Sequence, residues 1–186
     1  ALRGNFVVLT NGEHEGRRGV NRLVEAALGD QVRPDQQGLY LPGLAAGGVQ
    51  LQDRFGQLSH PGVSDAEMLF LASAPQRMEQ LLLERLPAEL PGVSAEQLKT
   101  LAQQAVLDTQ VSPTINLNGV FALVPGDVPR QRRLQQMLAD LMDQLLQKAS
   151  AAGLEGSFFL HVAPNLGRDA DGRERAKPAA AGDVGT

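Results

Sequence analysis

The stretch from Thr114 to Val162 constrains the fold most, because it spells strand, helix and strand in succession. It runs Thr114-Ile115-Asn116-Leu117, breaks at Pro125-Gly126-Asp127-Val128-Pro129, becomes periodic, and closes on Phe158-Phe159-Leu160-His161-Val162. Leu134, Met137, Leu138, Leu141, Met142, Leu145, Leu146 and Ala149 recur at three- and four-residue steps, so they share one helix face. Arg132, Arg133, Gln136, Asp140, Asp143 and Gln147 lie off it. Asp127 is the natural N-cap, and Pro129 suits the first turn, where its missing N–H has no partner to lose. Gly153 suits the left-handed stop. Such a stripe packs on a sheet, on other helices, or against a second protein.

The chain of 186 residues is long enough for one domain with its own core. Hydrophobic residues at 42% and charged residues at 20% exclude wholesale disorder. A net charge of −4 argues against nucleic acid as the partner. With no cysteine there is no disulfide, no thiolate metal site and no cysteine nucleophile. No apolar run reaches membrane-span length. The first residue is Ala1, which suggests a processed or truncated form, cytoplasmic or exported. Arginine greatly outnumbers lysine, which we read as coding bias in a soluble protein of bacterial type.

Phe6-Val7-Val8-Leu9-Thr10 is apolar on both faces, the mark of a strand buried within a sheet. Asn11-Gly12 stops it, and a helix follows with Val20, Leu23, Val24, Ala27 and Leu28 on one side and Gly29 at its end. Leu39-Tyr40-Leu41 and Val49-Gln50-Leu51 read as a hairpin or two short edge strands around a glycine-rich connection. That connection fits neither a dinucleotide nor a P-loop pattern. Pro61-Gly62-Val63-Ser64 and Pro91-Gly92-Val93-Ser94 are duplicate helix starters, with Glu67 and Gln97 placed to close capping boxes. They predict helices over 65–74 and 95–109, with a third over 76–86. Two copies fall short of a solenoid. Leu90-Pro91-Gly92-Val93 faintly resembles a helix-hairpin-helix turn, but Ser94 stands where the second glycine belongs.

These elements predict an α+β fold. It has one domain over 1–166: a small mixed sheet of three to five strands, from residues near Phe6, Ile115 and Phe158, covered by four or five helices. It includes a C-terminal β-α-β unit, with a right-handed crossover. Residues 167–186 lose apolar content and read as a mobile polar tail.

Three histidines are the first candidates for chemistry: His14, His60 and His161. His60 reads as an exposed turn residue. His14 follows the first strand, where sites of α/β sheets gather. If the strands were neighbours, His14, His161 and Glu15 could hold a metal or act as acid and base. The bland reading makes both histidines bystanders, and no ligand spacing demands a metal or other cofactor. Arg130, Arg132 and Arg133 crowd a positive helix end, as do Arg17, Arg18 and Arg22 at the first helix, so an acidic partner or an anion is expected at each.

The opening Asn5-Phe6-Val7-Val8-Leu9-Thr10-Asn11-Gly12 and the helix after it resemble the final strand and helix of serine β-lactamase-like esterases. The likeness covers about thirty residues and implies a piece of a serine hydrolase, but Ser-x-x-Lys, Gly-x-Ser-x-Gly and Lys-Thr-Gly are all absent. With no catalytic motif, the leading expectation is a non-catalytic interaction or assembly module that binds a protein partner or itself. Its contact surface would be Met137, Leu141, Met142 and Leu145, flanked by Arg130, Arg132 and Arg133. A hydrolase or metal-dependent enzyme using His14 and His161 stands second.

Overall fold

The structure, a computed structural model, describes residues 6–107, 109–168 and 174–185, those from 161 onward as backbone only. It is α+β, with two small sheets in place of the single sheet expected. The first sheet has four strands in the order β1 (Val8–Leu9), β2 (Gly43–Ala45), β3 (Gln50–Gln52) and β4 (Leu58–Ser59). β1 and β2 are parallel, while β2–β3 and β3–β4 are antiparallel. The strand near Phe6 therefore does not join those near Ile115 and Phe158. The latter are β5 (Thr114–Asn116) and β6 (Phe159–Arg168), both antiparallel to β7 (Glu174–Gly185) between them. β5 and β6 thus run the same way with β7 between them. β7 falls in the segment whose composition suggested a tail. A strand poor in apolar side chains is held through its backbone bonds.

Helix α1 (Val20–Leu28) follows the loop after β1, and a short α2 (Pro34–Gln37) comes next. The apolar stripe expected on α1 is not its buried side: Asn21 is buried and Leu23 is 72% exposed. The paired starters work as read. Ser64 Oγ accepts from Glu67 N at 3.3 Å while Ser64 N donates to the Glu67 carboxylate at 2.7 Å. Ser94 and Gln97 repeat the arrangement at 3.3 and 3.1 Å.

From Ser64 one helix, α3 (Asp65–Glu89), replaces the two expected and runs straight through Pro75. Pro75 lacks the N–H that would reach the Leu71 carbonyl, a loss of about 3 kcal/mol in an isolated helix. Burial of Phe70, Leu71, Met78, Leu82 and Leu86 along the same helix outweighs it. α4 (Ala95–Ala105) ends before the expected Thr109, because Val106 turns extended and pairs with Ile115.

A four-residue α5 (Asn118–Phe121) precedes α6 (Val128–Ala151), whose first turn is capped by Asp127 accepting from Arg130 N at 3.0 Å. Leu134, Met137, Leu138, Leu141, Met142, Leu145 and Ala149 are all buried. They meet α3 in the main core, where Phe70 and Phe158 stack with centroids 5.1 Å apart. Among the described residues no helix is long and apolar enough to cross a membrane.

Candidate functional site

The site is built around the loop that leaves β1. Thr10 N donates to Leu44 O at 3.1 Å, and Thr10 Oγ1 accepts from Gly12 N at 3.1 Å, so the chain turns immediately beyond the strand. Two buried residues then pin the loop. The Glu13 side chain, 5% exposed, accepts from the backbone N–H groups of Gln110, Val111 and Ser112 at 2.8–3.0 Å. A carboxylate in such a cluster of amides acts as a fixed clamp, since several charge-assisted bonds must break together. His14 is fully buried; its N–H donates to Gln50 Oε1 at 2.8 Å and its Nε2 lies 3.1 Å from Gly43 O. Beside them, Asn21 and Gln52 bond reciprocally at 2.7 and 2.9 Å. Gly19 must be glycine for close approach: a Cβ there would sit 2.2 Å from Glu15 O. The outer side of this rigid loop presents Asn11, Arg17 and Arg18.

Two recesses flank the loop and helix. One, of about 560 Å³, lies between α1 and α2 and is lined by Arg22, Glu25, Arg33, Asp35 and Tyr40. Its two arginines already have acidic partners: Arg22 pairs with Glu25 at 3.0 Å and Arg33 with Asp35 at 3.4 Å, Tyr40 donates to Glu25 at 3.0 Å, and Asp30 adds a third carboxylate. Desolvation, then the bond to Glu25, raises the Tyr40 phenol above its ordinary value. The other recess, of about 260 Å³, is framed by Arg18, Gln104, Asn116 and Asn118 where the loop meets α4, β5 and α5. Its lining has a guanidinium and three amides but no carboxylate. A dianion entering the first recess meets three carboxylates, Glu25, Asp30 and Asp35; in the second it meets none.

The residues singled out from sequence are scattered. His14 is turned inward to Gly43 and Gln50, while Glu15 is exposed. His161 lies in β6 of the other sheet, paired in register with Asp183, and its side chain is outside the described residues. Among the described residues no three histidine or acidic side chains gather closely enough to hold a metal. Met137, Leu141, Met142 and Leu145 are buried in the chain's own core. Arg130 pairs with Asp127 at 3.3 Å and Arg133 with Glu89 at 2.9 Å, which supplies the acids expected at that helix end; Arg132 is exposed. The Glu13 clamp was not legible, because its partner amides lie 97–99 positions away.

Residues 1–186 match the family model described as glucosylglycerol-phosphate phosphatase. The chain is also 50% identical, over 182 residues, to the glucosylglycerol-phosphate phosphatase of Synechocystis sp.. That alignment takes in 98% of this chain and 43% of the relative, so the chain spans less than half of the relative's length. No solved structure matches. These findings overturn the leading expectation of a non-catalytic interaction or assembly module, since the matching family is one of phosphatases. The hydrolase kept second was nearer, although neither the esterase likeness nor a role for His14 follows from them. The membership is carried by the match along the whole of residues 1–186 and not by Ser-x-x-Lys, Gly-x-Ser-x-Gly or Lys-Thr-Gly, which the chain lacks.

Proposed function

From the premise that the chain belongs to the glucosylglycerol-phosphate phosphatase family, we propose that the whole protein hydrolyses a phosphate monoester carried on a glycosylated polyol. The observation that carries the reading is the match along all of residues 1–186, with half of the aligned positions identical to a phosphatase of that name. The geometry suits part of the task. Ligands of open α/β sheets bind beyond the carboxyl ends of parallel strands, and the β1 loop lies at such an end.

The acid-free recess beside the loop offers what such a substrate needs. A guanidinium matches phosphate oxygens with directed N–H donors. The amide groups of Gln104 and Asn116 suit polyol hydroxyls, with Asn116 held in place because its Oδ1 accepts from Asn118 N at 2.9 Å. The role proposed for these residues is binding and orientation: Arg18 anchors the phosphate and the amides read the hydroxyls.

The test uses the whole protein and counts inorganic phosphate released from glucosylglycerol phosphate. Arg18→Ala is expected to raise KM about tenfold, the effect of about 1.4 kcal/mol of lost binding, with kcat changed less. Arg18→Lys should recover part of the loss. No phosphate release by the wild-type protein would sink the activity. An unchanged KM in Arg18→Ala would sink the recess as its substrate site.

A further inference from the structure

The four-stranded sheet turns its polar residues inward and its apolar ones outward. Paired residues in a ladder share a face, so Gly43 with Gln52 and Ala45 with Gln50 fall on the side covered by α1 and the His14 loop. Gln50 and Gln52 are almost wholly buried there. The opposite face carries Leu9 beside Leu44, and Leu44 beside Leu51, with Val7 in line. Val7 and Leu9 are each 77% exposed, Leu44 38% and Leu51 41%. A contiguous apolar face of this kind marks a contact surface.

Among the described residues no strand pairs with the edge beside it. β1 lies at the end of the strand order. Val8 N donates to Pro42 O at 2.8 Å and Thr10 N to Leu44 O at 3.1 Å, so these residues face β2. Backbone groups alternate along a strand, and those of Val7 and Leu9 therefore point away from β2. A short, strongly apolar strand with an unpaired edge is the form proteins avoid leaving bare. Its composition suits a strand with neighbours on both sides.

We propose that this face and edge are completed by the part of the same polypeptide that lies outside residues 1–186. That part contributes a strand paired with Val7 and Leu9, and apolar side chains laid over Val7, Leu9, Leu44 and Leu51. The length of the relative supplies the occupant: more than half of it lies beyond the region this chain matches. β1 is then an interior strand of a larger sheet, and its loop lies at the junction between the two parts. The inference depends on the relative's length and not on the phosphatase reading.

Single-residue amide exchange on the whole protein tests it without reference to activity. Val7 and Leu9 are expected to be protected to within about tenfold of Val8 and Thr10, as in a strand bonded on both sides. Exchange of Val7 and Leu9 about a thousandfold faster than Val8 and Thr10 would overturn the proposal. Protection that disappears on dilution, together with a dimer in light scattering, would assign the surface to a second copy and also overturn it. Leu9→Pro gives a second readout, because it removes only the outward N–H, which an edge strand tolerates and an interior one does not. It should abolish the folded whole protein, while Leu9→Ala leaves it folded. Equal melting temperatures for the two variants would count against the inference.

Discussion

Glu13 shows how one side chain joins two distant parts of the chain. Its carboxylate is the partner of three consecutive amides at 110–112, in the turn that leads into β5. Glu13→Ala leaves those donors without their acceptor and should cost about 3 kcal/mol, partly offset by entering water. Chemical denaturation would show it as a lower midpoint with an unchanged slope. The same loop should also loosen, so if the recess at Arg18 is the proposed substrate site, KM should rise although Arg18 is not itself altered. Gly43 is constrained by closeness: its φ is 151°, and a Cβ would lie 2.0 Å from Val8 O on the neighbouring strand. Gly43→Ala must push β1 from β2, and the loss of fold should exceed that of Ala45→Gly, measured by thermal melting.

At the scale of elements, the two capped helices differ in one chemically useful way. α3 starts with an ionisable partner, Glu67, and α4 with the neutral Gln97. The Ser64 backbone N–H, then the Ser157 and Ser64 side chains, hold the Glu67 carboxyl below its usual value. A folded-state value below the unfolded one stabilises the fold above the unfolded value, and that contribution is lost as pH falls through the folded one. The stability gap between wild type and Glu67→Gln should therefore be present at neutral pH and shrink on acidification. Ser94→Ala at the other helix should cost about 1 kcal/mol with no such pH dependence. A gap between wild type and Glu67→Gln that grows in acid would refute this account. α3 also shows packing overriding local preference, since Pro75 sits in mid-helix beside the buried Leu71 and Ala74.

For the whole molecule, the main apolar core and the four-stranded sheet are built differently. The core is assembled from residues between Phe70 and Phe158, and of the buried residues before Phe70 only Ala46 joins it. The sheet's covered face is held by polar pairs instead: Asn21 with Gln52, His14 with Gln50 and Gly43. Hydrogen bonds of this kind contribute about 1 kcal/mol each net, much less than burial of large apolar side chains. Residues 1–186 produced alone should therefore open in order, with amides of residues 6–60 exchanging well before those of α3 and α6. Simultaneous exchange of both regions would show one cooperative unit and contradict this division.

The sequence by itself determined whatever is encoded within a few residues: the stripe of α6, the Asp127 cap, both capping boxes and the α+β class. Periodicity and capping act over one or two turns, so a reader of the chain sees them directly. Only the tertiary structure decided that β1 parts from β5 and β6, that His14 turns inward, that Glu13 clamps a loop about a hundred positions away, and that Arg18 and Asn116 line one recess. Those outcomes depend on which surfaces come together after the elements form, and a charged or amide side chain has the same local signature whether it is clamped, paired or left facing a ligand.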